Sequence, residues 1–376
     1  MIKMKVLMIG WEFPPKKVGG LGTHCYELLK ELRNLVDVTL VLPFMAAMGG
    51  IKTLMVPARW IDPYKASYFH SFIDEIKAYN RNIVKTVLDK DIHFDVIHVH
   101  DWMGIEAGIK LKHLTGKPLV ITFHSTEYDR AVGNPWDRIE SIERLGVKEA
   151  DLIIAVSNLM KNELVEKYGA NPNKVAVIYN GISPEEIAPV DHKGLFGRKI
   201  VLYLGRLTGQ KNPEALIRAI PLVLSKRKDV LFVIAGGGEL LPWLADLSVE
   251  LGVKDYVVFT GKVTEDEKNF LYSVADVFVL PSYSEPFGIT VLEAAAKGAV
   301  PIISKTVGAG EQVDALEVDF WDVNKMAEYI LGVLNHPILR QFMKDNNVSR
   351  LSNLSWSRVA RQVLKAYKRV SKLEGV

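Results

Sequence analysis

Short apolar runs alternate with segments of helical periodicity along the whole chain. In the first half the runs are KVLMIG, VDVTLVLP, FDVIHVHD, PLVITFH, ADLIIAVS and KVAVIYNG, each ended by glycine, proline or polar residues. Runs that are apolar throughout are typical of parallel strands covered by helices on both faces. The intervening segments, such as GTHCYELLKELRNL, carry apolar residues at helical spacing. The pattern predicts an α/β fold built on a doubly wound parallel sheet.

The same pattern restarts after a segment rich in proline, glycine and charge at 182–198, which we interpret as a linker. The later runs are KIVLYLGRL, DVLFVIAGGG, YVVFTGKV, ADVFVLPS and AVPIISK. We therefore predict two doubly wound domains in tandem, over residues 1–190 and 191–354. The remaining section, 355–376, contains SWSRVARQVLKAYKRVSKL and is predicted to be an amphipathic helix.

Composition narrows the class of protein without identifying it. A chain of 376 residues is long enough for two domains, and a net charge of +3 is too small to argue for nucleic acid. Cys25 is the single cysteine, so no disulfide forms within the chain and a reducing, cytoplasmic location is expected. No apolar run approaches the ~20 residues of a membrane span, although a peripheral membrane contact is compatible with the mildly basic charge.

In doubly wound sheets, ligands bind beyond the carboxyl ends of the strands, so residues that follow an apolar run are candidates. The segment WEFPPKKVGGLGTH follows the first run and contains Lys17, Gly19 and Gly20 before a helix. Glycines let a backbone approach a ligand closely, and a helix N-terminus offers N–H groups to an anion. The alternative is a turn that only joins strand to helix.

Two further segments of the first half contain histidine at a strand end. In HVHDWM, His98 and His100 fall on one face of a strand, which makes a metal pair conceivable. Only His100, Asp101 and Trp102 reach the strand end, and we interpret these three as a polar and aromatic rim for a sugar. His124 follows the run PLVIT, where its imidazole can contact a hydroxyl or phosphate or, alternatively, only cap a loop.

Two loops of the second half suggest a phosphorylated ligand. LGRLTGQKN contains Arg206 and Lys211, which can bind a diphosphate together. The arginine can form two parallel hydrogen bonds with it, and the lysine contributes a compact positive charge. VIAGGGELL contains Gly236 and Gly237 after a strand, but its third glycine position holds Leu241. It is therefore a defective dinucleotide fingerprint, and NAD binding is poorly supported, whereas a nucleotide lying against the loop is compatible with it.

The segment SYSEPFGITVLEAAAKG combines two carboxylates with a strand-to-helix turn. The helix after Gly288 begins with Ile289 and Thr290, whose N–H groups suit phosphate oxygens. Glu293 falls about one turn into that helix and can accept hydrogen bonds from a ribose diol. Glu285 precedes the turn and can accept from a sugar hydroxyl or offset positive charge at a reacting carbon.

Acidic residues in the sequence allow two other interpretations. DKD at 89–91 resembles the metal-holding Asp-x-Asp of some sugar transferases, but it precedes the run FDVIHVH and so lies at the wrong edge of the sheet. Glu285 and Glu293 also fit the acid–nucleophile pair of a hydrolase, which depends on the separation of their carboxyls. A carboxylate beside a helix N-terminus that suits phosphate favours a role in binding a phosphorylated donor over a role in acid catalysis.

Together these motifs resemble a known family. EPFGITVLEA looks like the E-x7-E segment of retaining nucleotide-sugar glycosyltransferases with the GT-B fold, and GRLTGQKN resembles their diphosphate clamp. ADLIIAVSNLMKNEL and VIYNGI resemble the end of their N-terminal domain. KVGGLG with HVHDW is similar, more narrowly, to glycogen and starch synthases. The resemblance runs from about residue 5 to the final helix.

The resemblance implies two Rossmann-like domains facing across a cleft, with the donor mainly on the C-terminal domain, the acceptor mainly on the N-terminal one, and the last helix crossing back to the first domain. By the resemblance, Glu293 binds the donor ribose and Glu285 the transferred sugar. Arg206 and Lys211 hold the diphosphate, and His124 positions the sugar at the reaction centre. The donor-binding set is completed by Lys17, Gly19, Gly20, Gly236, Gly237, Lys262, Val263, Phe287, Gly288, Ile289 and Thr290.

The expected function is a retaining transfer of a hexose, most simply glucose from ADP-glucose or UDP-glucose, to a glucan or other sugar, without metal or cofactor. Thr23 and His24 follow the glycine motif where glycogen synthases usually have Asp, and Lys211 is followed by Asn212 where many relatives have glycine. These departures leave open a mannosyl- or glucosyltransferase acting on a lipid-linked or small acceptor. An epimerase of the same fold and a degenerate sugar-nucleotide binder are further alternatives, and the oligomeric state is left undetermined.

Overall fold

A computed structural model of the chain describes residues 3–17, 19–60, 69–188 and 197–371. The chain divides into two compact units. The first comprises Met1–Tyr128, Asn134–Gly181 and Trp356–Val376, and the second comprises Asp129–Gly133 and Ile182–Ser355. Part of the segment interpreted as a linker, 189–196, lies outside the described residues.

The first unit is built on a seven-stranded parallel sheet with the order β3-β2-β1-β4-β5-β6-β7. Its strands are β1 (Lys5–Ile9), β2 (Asp37–Leu42), β3 (Lys52–Met55), β4 (Val96–His100), β5 (Leu119–Phe123), β6 (Leu152–Ala155) and β7 (Val175–Val177). Its helices are α1 (Gly20–Leu32), α2 (Phe69–Asp89), α3 (Ile105–Thr115), α4 (Glu127–Arg130), which extends into the segment grouped with the second unit, α5 (Asp137–Glu149), α6 (Asn158–Glu166) and α13 (Trp356–Ser371).

The second unit has a six-stranded parallel sheet with the order β10-β9-β8-β11-β12-β13. Its strands are β8 (Lys199–Leu204), β9 (Val230–Ala235), β10 (Val257–Gly261), β11 (Val277–Leu280), β12 (Val300–Ser304) and β13 (Leu316–Val318). Its helices are α7 (Pro213–Leu224), α8 (Leu241–Glu250), α9 (Glu265–Val274), α10 (Ile289–Ala296), α11 (Val323–Asn335) and α12 (Pro337–Leu351).

Both sheets contain the strand order 3-2-1-4-5-6 of dinucleotide-binding folds. In this order, successive strands are added first toward one edge of the sheet and then, after a single crossover, toward the other. In the first sheet this topological switch lies between β1 and β4, and in the second between β8 and β11. The central strands are buried along their whole length, as in β4, β5 and β11. The apolar runs therefore predicted these strands correctly, because a strand covered on both faces has no solvent face to make polar.

Two short edge strands were not predicted. β3 (Lys52–Met55) buries only Leu54, and β13 (Leu316–Val318) buries only Val318. Each pairs with one neighbour and is covered on little of its surface, so its sequence has no continuous apolar run. Their positions depend on the strands that they pair with rather than on their own composition.

The C-terminal helix packs on the first unit, against α1. At its start, the Trp356 ring lies edge-on to His24 with 5.4 Å between centroids. Further along, the Tyr367 hydroxyl bonds Nδ1 of His98 at 2.7 Å, and His98 Nε2 bonds the Thr122 hydroxyl at 2.8 Å. Both ring nitrogens of the fully buried His98 are thus bonded within the protein, which gives this histidine a structural role and excludes it from a metal pair with His100.

We expect Tyr367→Phe to destabilise the protein by about 1–3 kcal/mol, because it leaves a buried imidazole nitrogen without its hydroxyl partner. The free energy of unfolding, measured by urea denaturation, checks this. Tyr26→Phe is the matched control, since the Tyr26 ring packs on Phe13 and its hydroxyl has no hydrogen bond among the described residues. Equal effects of the two substitutions would contradict a specific role for the bond to His98.

Candidate functional site

The loops after β8 and β11 meet at the switch point of the second sheet. Lys211 Nζ and Glu285 Oε2 form an ion pair there, and the two side chains are only 13% and 15% exposed. Beside the pair, Gln210 Nε2 donates to the Ser284 carbonyl at 3.1 Å, and the Tyr283 N–H donates to the Gln210 carbonyl at 2.9 Å. Two loops that are far apart in sequence are therefore joined by an ion pair and by a backbone hydrogen bond.

Asn212 explains one departure from the expected motif. Its φ of 48° and ψ of 47° lie in the left-handed region, which glycine adopts readily and asparagine adopts more readily than most other residues. The Asn212 side-chain amide donates to the carbonyls of Pro281 at 3.1 Å and Phe320 at 2.9 Å. Asparagine can thus replace glycine at this turn while its side chain also anchors the β8 loop to the loop after β11.

Arg206 lies in the same loop as Lys211. The Tyr203 hydroxyl donates to the Arg206 carbonyl at 2.8 Å, and Arg206 Nη2 lies 3.5 Å from Gln210 Oε1. The side chain is half-buried, which limits its freedom. Both predicted cations therefore project from one loop at the carboxyl edge of the sheet.

The segment that contains Glu285 is tied to the loop after β12. The Glu285 N–H donates to the Thr306 carbonyl at 3.0 Å, and the Glu285 carbonyl accepts from the Gly308 N–H at 2.9 Å. Gly288 precedes α10 with a φ of 93°, a left-handed conformation that favours glycine. Phe287 is buried, whereas Ile289 and Thr290, the first residues of α10, are half-buried. The predicted turn and helix start are thus where the sequence placed them.

Glu293 is held by two side chains of α9 that sequence reasoning missed. Its Oε1 accepts from Lys268 Nζ at 2.8 Å, and its Oε2 accepts from the Tyr272 hydroxyl at 2.9 Å. Burial alone would lower the pKa of Lys268, but the carboxylates of Glu293 and Glu265 outweigh it and hold that pKa above its ordinary value. Lys268 and Tyr272 are four residues apart on one helix face, and that spacing was the available signal.

The glycines after β9 have a structural explanation. A Cβ on Gly236, whose φ is 132°, would lie 1.9 Å from the Gly205 carbonyl oxygen, so the β8 and β9 loops approach too closely for any side chain. A Cβ on Gly237 would lie 3.0 Å from Lys262 Cγ. Lys262 and Val263, which follow β10, are therefore at the same sheet edge as Arg206, as the strand-end rule predicted.

In the first unit, His100 and His124 meet at the ends of β4 and β5. His100 Nδ1 and His124 Nε2 are 3.0 Å apart, and Asp101 Oδ1 accepts from the His124 backbone N–H at 2.7 Å. Asp101 has a φ of 55° and a ψ of −174°, a conformation that costs a non-glycine residue about 1–3 kcal/mol. The strained aspartate and the two histidines thus form one connected group.

His100, Asp101 and Trp102 do not form a rim, and that expectation is corrected, because the three residues are only 1%, 4% and 3% exposed. The Trp102 ring packs edge-on against Phe72 with 5.7 Å between centroids. The chain turns into a short helical segment directly after β4, which directs this residue into the core of the first unit. A large ring packed against another aromatic ring gains more from burial than from exposure.

The glycine motif after β1 opens α1 as predicted. Gly19 is its N-cap, and the Gly19 N–H donates to Glu12 Oε2 at 3.2 Å. Gly20 is the first helical residue, and Lys17 is exposed. A Cβ on Gly22 would lie 2.7 Å from Lys17 Cγ, so this glycine leaves room for the lysine stem.

His24 joins the histidine group and was not predicted. Its ring lies edge-on to His124 with 4.4 Å between centroids, and its Nδ1 is 2.6 Å from Asn180 Oδ1. Burial lowers the pKa of His24 to about 4, and the pKa values of His100 and His124 fall well below their ordinary value through desolvation and the neighbouring imidazoles. All three are therefore neutral at neutral pH.

Two models of known protein families match this chain. The model described as "Glycosyltransferase Family 4" matches residues 18–186, and the model described as "Glycosyl transferases group 1" matches residues 191–350. Together they cover most of both units. The chain belongs to these glycosyltransferases and has the GT-B fold, as the motifs and the two parallel sheets indicated.

Relatives extend over nearly the whole chain. An uncharacterised glycosyltransferase of Methanocaldococcus jannaschii is 35% identical over 399 positions, covering 99% of this chain and 100% of that protein. The glycogen synthase of Mycobacterium tuberculosis is 29% identical, covering 97% and 94%. The structure of sucrose-phosphate synthase from Thermosynechococcus elongatus has a TM-score of 0.82 at 21% identity, covering 99% and 100%. The predicted resemblance to glycogen synthases is confirmed.

Among the described residues, no helix is long and apolar enough to cross a membrane.

We expect Gly236→Ala to destabilise the second unit by roughly 2–6 kcal/mol, because the added methyl group meets a backbone carbonyl and the φ is unfavourable. Gly209→Ala is the control, since its Cβ would meet no atom within 4 Å. We expect the control to stay within about 0.5 kcal/mol of the native protein. Thermal unfolding of both variants tests the contact, and two similar melting temperatures would show that the loops separate easily.

Proposed function

We propose that this glycosyltransferase moves a hexose, most simply glucose, from a nucleotide diphosphate sugar to a glucan or another sugar, with retention of anomeric configuration. The observation that supports it most directly is the convergence of Lys211, Arg206 and Glu285 at the switch point of the second sheet. That edge is where doubly wound sheets bind nucleotides. The similarity to a glycogen synthase supports a glucosyl donor.

The diphosphate is bound by charge from one loop and by the start of one helix. Arg206 and Lys211 supply the cations, and the N–H groups of Ile289 and Thr290, the first two residues of α10, supply hydrogen-bond donors at the helix N-terminus. These groups are anchored by the contacts of Gln210 and Asn212 to the loop after β11. They therefore need little rearrangement as charge builds on the leaving phosphate.

Lys211 has a second role through its ion pair with Glu285. An ammonium group has three donors, so it can keep the carboxylate while it binds a phosphate oxygen. The pair would thus hold Glu285 beside the sugar that is being transferred. There the carboxylate accepts from a sugar hydroxyl and offsets the positive charge that develops at the anomeric carbon.

Glu293 binds the ribose in this proposal. A carboxylate has about four acceptor positions, and Lys268 and Tyr272 each use one. The remaining positions can accept from the two hydroxyls of a ribose. Because Lys268 and Tyr272 fix the carboxylate, it is oriented before the donor binds.

The reaction breaks the bond between the anomeric carbon and the phosphate oxygen, and the electron pair of that bond passes to the diphosphate. Arg206, Lys211 and the helix N–H groups stabilise the new negative charge, so we propose that no metal is required. The acceptor hydroxyl attacks from the face that the phosphate leaves, and its proton passes to the departing phosphate oxygen. Configuration is therefore retained without a protein nucleophile.

His124 is proposed to position the transferred sugar. It is a neutral imidazole held by His100 through its Nε2 and by Asp101 through its backbone N–H. A neutral ring can donate and accept hydrogen bonds with hydroxyls without adding charge at the reacting carbon. We propose that His100 and Asp101 act through His124 on the acceptor side.

A donor screen tests the function. We expect nucleotide release from one of ADP-, UDP- or GDP-hexose, stimulated by an acceptor from a panel of glucans, small sugars and lipid-linked sugars, with a chelator present throughout.

Lys211→Met should lower kcat/KM by about 10²-fold or more, because it removes one group that stabilises the charge on the leaving phosphate. Lys254→Met, which changes an exposed lysine on the second unit, is the control and should leave the rate unchanged.

In the donor screen, absence of nucleotide release from every donor would overturn the proposal. A β-linked product from an α-linked donor, detected by proton NMR, would overturn retention.

The two glutamates should differ in kinetic effect. We expect Glu285→Gln to lower kcat by about 10²–10³-fold with little change in donor KM, because it acts on charge in the transition state. We expect Glu293→Gln to raise donor KM by roughly 10–100-fold with a smaller effect on kcat, because it removes hydrogen bonds to a charged acceptor. Glu250→Gln, on the exposed face of α8, is the control. The reverse assignment of kcat and KM effects would exchange the two roles.

A further inference from the structure

The three histidines of the first unit converge on one point from separate elements. His24 lies on α1, His100 ends β4, and His124 follows β5. One ring nitrogen from each lies within 4.8 Å of the others, and the side chains are buried or half-buried. Three imidazoles from three rigid elements, without a carboxylate among them, form a typical donor set for a zinc-type ion.

Hydrogen bonds fix one ligand in the tautomer that a metal needs. An amide oxygen only accepts, so Asn180 Oδ1 requires the proton of His24 on Nδ1. The lone pair of His24 is therefore on Nε2. A histidine that ligates a metal usually donates its other N–H to a protein oxygen, which is the role that Asn180 has here.

The other two histidines share a proton where a metal would bind. His100 Nδ1 and His124 Nε2 are 3.0 Å apart, with ring planes only 19° from parallel. Zn–N bonds of about 2.0–2.1 Å in a tetrahedral site place ligand nitrogens roughly 3.3 Å apart. His100 Nε2 is also buried without a hydrogen-bond partner in the described part of the chain. A buried nitrogen without a hydrogen-bond partner is unfavourable, so reorientation of the His100 ring on ion binding would have a low energetic cost.

The surroundings favour a cation and distinguish this group from His98. The carboxylate of Asp101, which is only 4% exposed, accepts from the His124 backbone N–H at 2.7 Å, so an acidic group lies directly beside the histidines. The His98 ring lies near His100, with 4.3 Å between centroids and 41° between ring planes, but it bonds Tyr367 and Thr122 through its two nitrogens. It therefore stays outside the set of ligands.

We infer that His24, His100 and His124 form a binding site for one divalent transition-metal ion of the zinc type, with a fourth position left for water. The ion has no part in the transfer mechanism proposed above. Because it uses His124, its binding should inhibit transfer; this second statement rests on the proposed function, whereas the metal site itself does not.

The first experiment titrates the chelator-treated, full-length protein with Co²⁺ at pH 7.5. We expect one equivalent to bind, with the visible absorption of four-coordinate cobalt, and Zn²⁺ to displace it. His24→Gln and His124→Gln should each weaken binding by at least about 10²-fold, and Asn180→Ala, which removes the partner that orients His24, by roughly 10–100-fold. His93→Gln is the matched control, because His93 is exposed beside Asp91 and is the obvious adventitious site. Loss of binding in His93→Gln, or undiminished binding in the other variants, would overturn the site.

A second measurement avoids substitutions that impair folding. In wild-type protein labelled with ¹⁵N-histidine, one equivalent of Zn²⁺ should give large coordination shifts of the ring nitrogens at three of the nine histidines and only small shifts at the other six. Shifts confined to exposed histidines would contradict the site.

Inhibition of transfer by Zn²⁺ distinguishes the metal site from the proposed role of His124. We expect Zn²⁺ to inhibit transfer over the same concentration range in which it binds, and a chelator to restore the rate. Binding at the three histidines without inhibition would leave the metal site standing and overturn the proposed role of His124. Inhibition that persists unchanged in His24→Gln would assign the effect to another site and overturn the link.

Discussion

The constraint on which the structure depends is that its central strands are buried on both faces. In β4, β5 and β11 the side chains are inaccessible along the whole strand. A polar side chain within them is therefore bonded inside the protein, as His98 is, and the groups that can meet a ligand lie at strand ends. Parallel pairing brings those ends to one edge. The loops after β8 and β11 then meet at the switch point, where Lys211 and Glu285 pair.

The same constraint shapes the backbone at that edge. Loops that leave adjacent strands are crowded, so Gly236 has no room for a side chain and Gly288 and Asn212 adopt left-handed conformations. In the first unit, the same edge holds Asp101 in its unusual conformation and the cluster of neutral histidines. Close packing therefore orients the groups that the proposed reaction uses, and it also creates the nitrogen set that suits a metal ion.

Sequence reasoning succeeded where a residue's position along a strand decided its place. Glu285, Arg206, Lys262 and His124 all follow strands, and all lie at carboxyl edges. It failed where a partner came from another element. Lys268 and Tyr272 support Glu293 from α9, His24 approaches His124 from α1, and Trp102 turns into the core. These outcomes depend on how helices pack on the sheet, for which a single sequence contains only weak signals.

The sequence by itself determined the fold class, the central strands, the family and the sheet edge at which the candidate residues lie. It could do so because continuous apolar runs, glycine turns and strand-end polar residues are local patterns with a direct physical cause. Only the tertiary structure decided which side chains pair, which tautomer His24 adopts, and that three histidines face one another. Those facts depend on distances of a few ångströms between elements far apart in the chain, which local patterns do not contain.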